Sequence, residues 1–260
     1  MKIAGLRKCS MVDYPGKMAA VIFTPGCNLD CYYCHNRFLL EENALQDEQD
    51  PQAVFAVLAR RRGFLDGVVI SGGEPTLQPD LERFILDVRE LGFPVKLDTN
   101  GLRPDVLQEL LQSRLLDYVA MDLKASRAKY RQLCGRNADV DLIDRSIRLL
   151  LESDVRYEFR TTVAPELDGD DLREMSEWIA GARHYVLQQY RPLQAEWFGD
   201  QERLSAPPHE PATLLEWARA IAPRVRQLSL RGLGVETVGE RAASSADEDE
   251  DLEFSGALSA

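Results

Sequence analysis

The chain has 260 residues, of which 45% are hydrophobic and 28% charged, with a formal net charge of −12 at pH 7. That length buries a core without disulfide or metal staples, and that composition excludes a wholly disordered, collagenous or membrane-embedded protein. From Glu236 to the C-terminus the chain carries eight acidic residues and one basic (Arg241), and neither this acidic end nor the remainder has the basic balance of a nucleic-acid binder.

Residues 1–16 carry Lys2, Arg7, Lys8 and Asp13 and lack the apolar centre of a signal peptide, and no later run approaches ~18 apolar residues. The expectation is a cytoplasmic chain without membrane contact. Residues 19–24 (Ala-Ala-Val-Ile-Phe-Thr) read as a first buried strand. Residues 51–62 read as a helix, with Asp50 as N-cap and Pro51 in its first turn. Strands follow at 67–71, 94–98, 117–122, 156–163 and 184–189, alternating with helices at 79–91, 104–112, 139–151 and 170–182. A weaker last pair, helix 211–222 and strand 227–230, ends the pattern.

Six strand–helix alternations imply right-handed crossovers and a parallel sheet covered by helices. A complete eight-unit barrel takes ~250 residues, and about 215 remain here between the N-terminal lead and the acidic end. The predicted fold is therefore α/β, a partial (β/α)6 barrel resembling an incomplete TIM barrel. Residues 1–235 form its single core domain, and 236–260 an acidic tail expected to be mostly disordered.

Five cysteines are too few for a disulfide scaffold, and three of them, Cys27, Cys31 and Cys34, fall within eight residues. The spacing C-x3-C-x2-C on the loop after the first strand suits three irons of a [4Fe–4S] cluster, which ordinarily takes four cysteines. Cys9 and Cys134 are distant in sequence; if neither approaches in space, one iron keeps an open position for a small molecule. The rival reading is zinc held by the three thiolates and His35, which the adjacency of Cys34 and His35 strains.

The cysteine spacing, Tyr33 before the last cysteine and the place of the loop resemble the radical S-adenosylmethionine (SAM) enzymes. Ser71-Gly72-Gly73-Glu74-Pro75 after the second strand matches that family's Gly-Gly-Glu-Pro element. The resemblance implies a cluster on Cys27, Cys31 and Cys34, with SAM on the open iron. It implies that Gly72, Gly73 and Glu74 meet the methionine ammonium, and that Tyr33 and His35 lie beside the cofactor. An electron from the cluster would then cleave the sulfonium to a 5′-deoxyadenosyl radical. Asp98-Thr99-Asn100-Gly101 and Met121-Asp122-Leu123-Lys124, at the ends of the third and fourth strands, resemble the glycyl-radical-enzyme activating enzymes. By that likeness Asp98, Asp122 and Lys124 contact SAM, Asp98 and Asp122 share a monovalent cation, and Arg160 on the next strand reaches the SAM carboxylate. Gln189 and Tyr190 are further candidates.

Ser10-Met11-Val12-Asp13-Tyr14-Pro15-Gly16-Lys17 and Phe23-Thr24-Pro25-Gly26-Cys27-Asn28 narrow the resemblance to activases of anaerobic ribonucleoside-triphosphate reductase in their longer form. Pro25 stands where that family usually has Gln. The implied partners are a glycyl radical enzyme and a flavodoxin- or ferredoxin-type electron donor, with no nucleic acid. Pyruvate formate-lyase activases share most of these motifs, and the same radical could modify a peptide or small molecule. A non-catalytic iron–sulfur sensor or scaffold would need none of Glu74, Asp98, Asp122 and Lys124. His184 is expected to be structural, His209 solvent-exposed, and no auxiliary cluster is expected on Cys9 or Cys134.

Overall fold

The structure, a computed structural model, describes residues 1–40, 49–192, 201–233 and 239–240, the side chains of 201, 202, 239 and 240 excepted. Nine strands form one sheet among these residues: β1 (Gly5–Tyr14), β2 (Lys17–Thr24), β3 (Gly67–Gly72), β4 (Val95–Thr99), β5 (Tyr118–Asp122), β6 (Arg156–Val163), β7 (His184–Gln189), β8 (Gln227–Arg231) and β9 (Gly239–Glu240). They lie side by side in chain order. Each neighbouring pair from β2 to β8 is parallel, while β1 and β9 flank them antiparallel. Among the described residues β1 and β9 do not pair, so the curled sheet stays an open half barrel. The predicted partial barrel is observed, and the weak last pair supplies a seventh parallel strand.

The crossovers contain α1 (Pro51–Arg60), α2 (Leu81–Glu90), α3 (Pro104–Gln112), α4 (Tyr130–Cys134), α5 (Val140–Leu151), α6 (Gly169–Trp178), α7 (Gln201–Leu204) and α8 (Pro211–Ile221). Local chemistry starts several of them. Asp50 and Asp139 cap α1 and α5 through their carboxylates, and Asp168 with Asp171 forms a capping box on α6. No helix of the described residues is long and apolar enough to cross a membrane.

The period-2 alternation of the strands gives the sheet two unlike faces. Ile22, Ile70, Leu97, Met121, Phe159 and Leu187 turn to the helices and are fully buried in the main core, each worth about 1.5–3 kcal/mol in transfer terms. The other face lines the half barrel. Its base is closed by Tyr14, Ala19, Val21, Val69 and Tyr118, and above them come the charged side chains of Lys96, Asp98, Asp122 and Arg160.

Two elements depart from expectation. Residues 5–14 are a strand rather than a lead; only Ser10 and Tyr14 on it are buried, so no apolar periodicity announces it. Within the expected acidic tail, Gly239 and Glu240 pair with Leu228 and Gln227 of β8, while 236–238 and 241–260 lie outside the described residues.

Candidate active site at the mouth of the half barrel

The C-terminal ends of β2 to β6 converge on a cavity of about 220 Å³ lined by Cys27, Cys31 and Cys34. The cysteine loop leaves β2 at Thr24 and is pinned at several points. Gly26 donates its N–H to Leu39 O at 2.8 Å, and Arg37 donates to Cys31 O at 3.2 Å. The end of α4 clamps the middle of the loop: Asp30 N donates to Cys134 O at 3.0 Å and Tyr32 N to Leu133 O at 3.3 Å. Tyr32 adds a hydrogen bond from its hydroxyl to Glu166, with the Arg203 guanidinium 4.0 Å from its ring centroid.

Burial pushes the Cys27 thiol up to about 11, and it raises Cys34 as well. Cys31 is raised by its hydrogen bond with Cys134 and by burial. Three thiols held neutral in one cavity suit a cationic metal centre, which would offset their charge on deprotonation. Among the described residues no three His, Cys, Asp or Glu side chains gather tightly enough for a single metal ion. A four-iron cluster places each thiolate on a different iron. Cys134 approaches Cys31, but it is fully buried and takes no part in the cavity lining. Cys9 is exposed on β1. A three-thiolate cluster with one open iron fits the donors present.

The turn after β3 is zipped onto the start of the cysteine loop. Gly73 N donates to Thr24 O and Glu74 N to Gly26 O, both at 2.8 Å. A Cβ on Gly73 would lie 1.9 Å from Gly26 O; on Gly72, at φ +115°, it would lie 2.4 Å from Thr24 N. Only glycines permit this approach. Glu74 lines the cavity, yet its carboxylate is already committed. Oε1 accepts from Thr76 N (3.1 Å), Thr76 Oγ1 (2.6 Å) and Thr99 Oγ1 (2.9 Å), and Oε2 from Asn100 N (2.7 Å). Burial raises its pKa, and these hydrogen bonds offset part of the rise. Glu74 thus ties the turn to the end of β4.

On the facing wall Arg160 bridges two carboxylates. Its Nε donates to Asp122 Oδ1 at 2.9 Å and its Nη1 to Asp98 Oδ2 at 3.4 Å. Lys96 pairs with Asp98, Ser71 Oγ donates to Asp98 Oδ2 at 3.0 Å, and Lys124 Nζ donates to Asp122 Oδ2 at 3.1 Å. Burial pushes Asp122 up, but Arg160 and Lys124 overcome it and bring it down to about 2. Asp98 falls below the usual range for the same reason, through Arg160 and Lys96. Burial pulls Lys124 down, but the Asp122 carboxylate beside it outweighs this, so its ammonium stays charged.

Tyr33, His35, Gly72, Gly73, Glu74, Asp98, Asp122, Lys124 and Arg160 line this one cavity with the three cysteines. Tyr33 directs its hydroxyl to Lys124 O at 3.4 Å, and burial together with Arg191 lowers the His35 pKa. The weaker candidates do not line it: Gln189 donates to His209 O, and Tyr190 to Leu204 O. His184 Nε2 lies 2.9 Å from Ser229 Oγ, away from the cavity lining. His209 is half-buried rather than exposed, because its ring packs edge-on against Trp217. Sequence reasoning missed Asn100 and Thr162 in the lining and Lys96 beneath it. The i, i+2 pairing of Lys96 with Asp98 was the available signal for the last.

Residues 21–179 match the family described as the radical SAM superfamily, and the chain belongs to that superfamily. It is 36% identical over 203 residues to a Methanocaldococcus jannaschii protein provisionally named a glycyl-radical enzyme activating enzyme, covering 74% of this chain and 81% of that one. It is 28% identical over 169 residues to a Pyrococcus horikoshii protein provisionally named a GTP 3′,8-cyclase, covering 65% of this chain and 53% of that one. Among solved structures, Streptococcus suis SuiB superposes with a TM-score of 0.61 at 16% identity, over 82% of this chain and 48% of that one. TYW1 with a lysine–pyruvate adduct superposes with a TM-score of 0.56 at 18% identity, over 81% and 74%. At these identities the structural likeness is one of fold. Membership in the superfamily implies catalysis with a [4Fe–4S] cluster and SAM.

Proposed function

We propose that the chain is an activase that generates a glycyl radical on a partner enzyme, an anaerobic ribonucleoside-triphosphate reductase. The observation that carries the reading is a single cavity in which three thiols face Asp122, Lys124 and Arg160. The relative from Methanocaldococcus jannaschii, similar over most of both chains, supports the activase class. One core domain over residues 1–235 and a cytoplasmic location belong to the same reading.

Cys27, Cys31 and Cys34 would hold the cluster. Bound there, the cofactors would supply one-electron cleavage of a sulfonium and abstraction of a hydrogen atom. Gly72 and Gly73 present backbone acceptors to the methionine ammonium, while Glu74 holds their turn. Lys124 and Arg160 supply positive charge for the methionine carboxylate, and Tyr33 and His35 wall the adenosine side. Lys96, Lys124 and Arg160 neutralise Asp98 and Asp122, taking the part expected of a monovalent cation. The open side of the half barrel admits a loop of the partner. A flavodoxin- or ferredoxin-type protein supplies the electron.

The test is electron paramagnetic resonance on the anaerobically reconstituted, reduced protein mixed with SAM and the anaerobic reductase of the same genome. The expected result is a glycyl doublet on the reductase that disappears when its radical-bearing glycine is replaced by alanine. Release of 5′-deoxyadenosine with no doublet would overturn the partner. It would favour another glycyl radical enzyme, such as pyruvate formate-lyase, or a peptide or small-molecule substrate. The GTP 3′,8-cyclase relative and the SuiB neighbour, solved with its precursor peptide, motivate the last two.

A further inference from the structure

We infer that Asn100 sets the reduction potential of the cluster by donating a side-chain N–H to the sulfur of Cys27; the inference rests on the cluster reading above. Asn100 follows the last residue of β4 and is 4% exposed. Its Oδ1 accepts from Leu102 N at 3.0 Å, which fixes the orientation of the carboxamide. The amide nitrogen must then face the cysteine loop. It lies 2.7 Å from Asn28 Oδ1 and 3.7 Å from Cys27 Sγ, so its two hydrogens meet two acceptors. Its backbone is fastened as well, since Asn100 N donates to Glu74 Oε2 at 2.7 Å, and the Thr76 and Thr99 hydroxyls hold the other Glu74 oxygen. The donor cannot turn away from the sulfur without breaking this chain of contacts.

The same sulfur receives Leu29 N at 3.4 Å. Hydrogen bonds to cluster sulfurs are one of the levers that set iron–sulfur potentials. A donor aimed at a ligand thiolate stabilises the more negative, reduced state more than the oxidised one, and a buried site strengthens the effect. Asn100 therefore raises the potential and makes the cluster easier for a protein donor to reduce. It acts through Cys27 and is a positioning residue rather than a catalytic one.

The experiment is an anaerobic redox titration of the reconstituted full chain without SAM or partner, following the reduced-cluster resonance. Wild type is compared with Asn100→Ala and Asn100→Asp, the latter keeping shape and the acceptor for Leu102 while removing the donor. Iron and sulfide content come first: a wild type that takes up no cluster overturns the cluster reading itself. Given four irons per chain, both variants are expected to show a lower midpoint. The expected change is tenfold or more in the reduction equilibrium, about 59 mV for one electron, with Asp below Ala. Unchanged midpoints in variants that hold four irons would overturn the inference. Loss of the cluster from both variants would overturn it as well, by making Asn100 a support of the loop.

Discussion

The Arg160 guanidinium on β6 donates to the Asp122 carboxylate on β5 at 2.9 Å, inside the half barrel and at the wall of its cavity. Asp122 titrates at about 2 in the folded chain, against about 3.9 for an unperturbed carboxylate. A depressed folded pKa gives stability that is fully present above about pH 4 and is lost as pH falls through about 2. Urea midpoints of the cofactor-free protein should therefore rise with pH across that window. Arg160→Met should lower stability by about 1–3 kcal/mol near neutrality, because it leaves Asp98 with Lys96 and Asp122 with Lys124 as their remaining cationic partners among the described contacts, and should flatten this rise. Arg160→Lys should not restore it, since one ammonium cannot span both carboxylates.

Gly73→Ala should abolish cluster uptake. Its Cβ would meet Gly26 O at 1.9 Å, so the turn must part from the cysteine loop, beyond the usual ~1–3 kcal/mol of overpacking. Iron content and thermal midpoint measure both effects. A stable Gly73→Ala chain with four irons would contradict the zipped geometry.

Cys134, the buried thiol beside Cys31, tests which thiols hold the cluster. Cys31→Ala should lose the cluster. Cys134→Ala should retain four irons and SAM cleavage, at a cost of about 1 kcal/mol in stability for a buried group lost, because Cys134 stands outside the cavity lining. Quantified iron and 5′-deoxyadenosine check the pair.

The cysteine spacing, Gly-Gly-Glu-Pro and the strand-end aspartates were legible because each is a local pattern placed by a strand that precedes it. The charged inner face was less so. Val95-Lys96-Leu97-Asp98 and Tyr157-Glu158-Phe159-Arg160 alternate in plain view, yet such strands pass for apolar runs when every second residue fills the helix-facing core. The clamp from α4 had no signal, since five residues carry too little periodicity and the contacts with Asp30 and Tyr32 join distant segments. Asn100 sat within a recognised motif, but the direction of its amide depends on the Leu102 N–H two residues on. Glu74 lines the cavity, and its partners Thr76, Thr99 and Asn100 emerge only when the turn meets β4.

Side-chain cations already compensate Asp98 and Asp122. SAM affinity should therefore change less than twofold when sodium and potassium are replaced by a bulky organic cation at constant ionic strength. Lys96→Met should introduce a dependence on potassium, because it leaves Asp98 with Arg160 as its one cationic partner among the described contacts. Calorimetry under anaerobic conditions reads both; a wild type that needs potassium would restore a metal cation to the site.

The most direct measurement is electron paramagnetic resonance of the reduced cluster, reconstituted on the full chain, titrated with SAM while 5′-deoxyadenosine and methionine are quantified. A cluster on the three cysteines of a cavity that also holds Asp122, Lys124 and Arg160 predicts a SAM-dependent change in the cluster signal at one equivalent, with both products formed. A fully reduced cluster whose signal ignores SAM and that forms neither product would contradict the account and leave a cluster-binding scaffold.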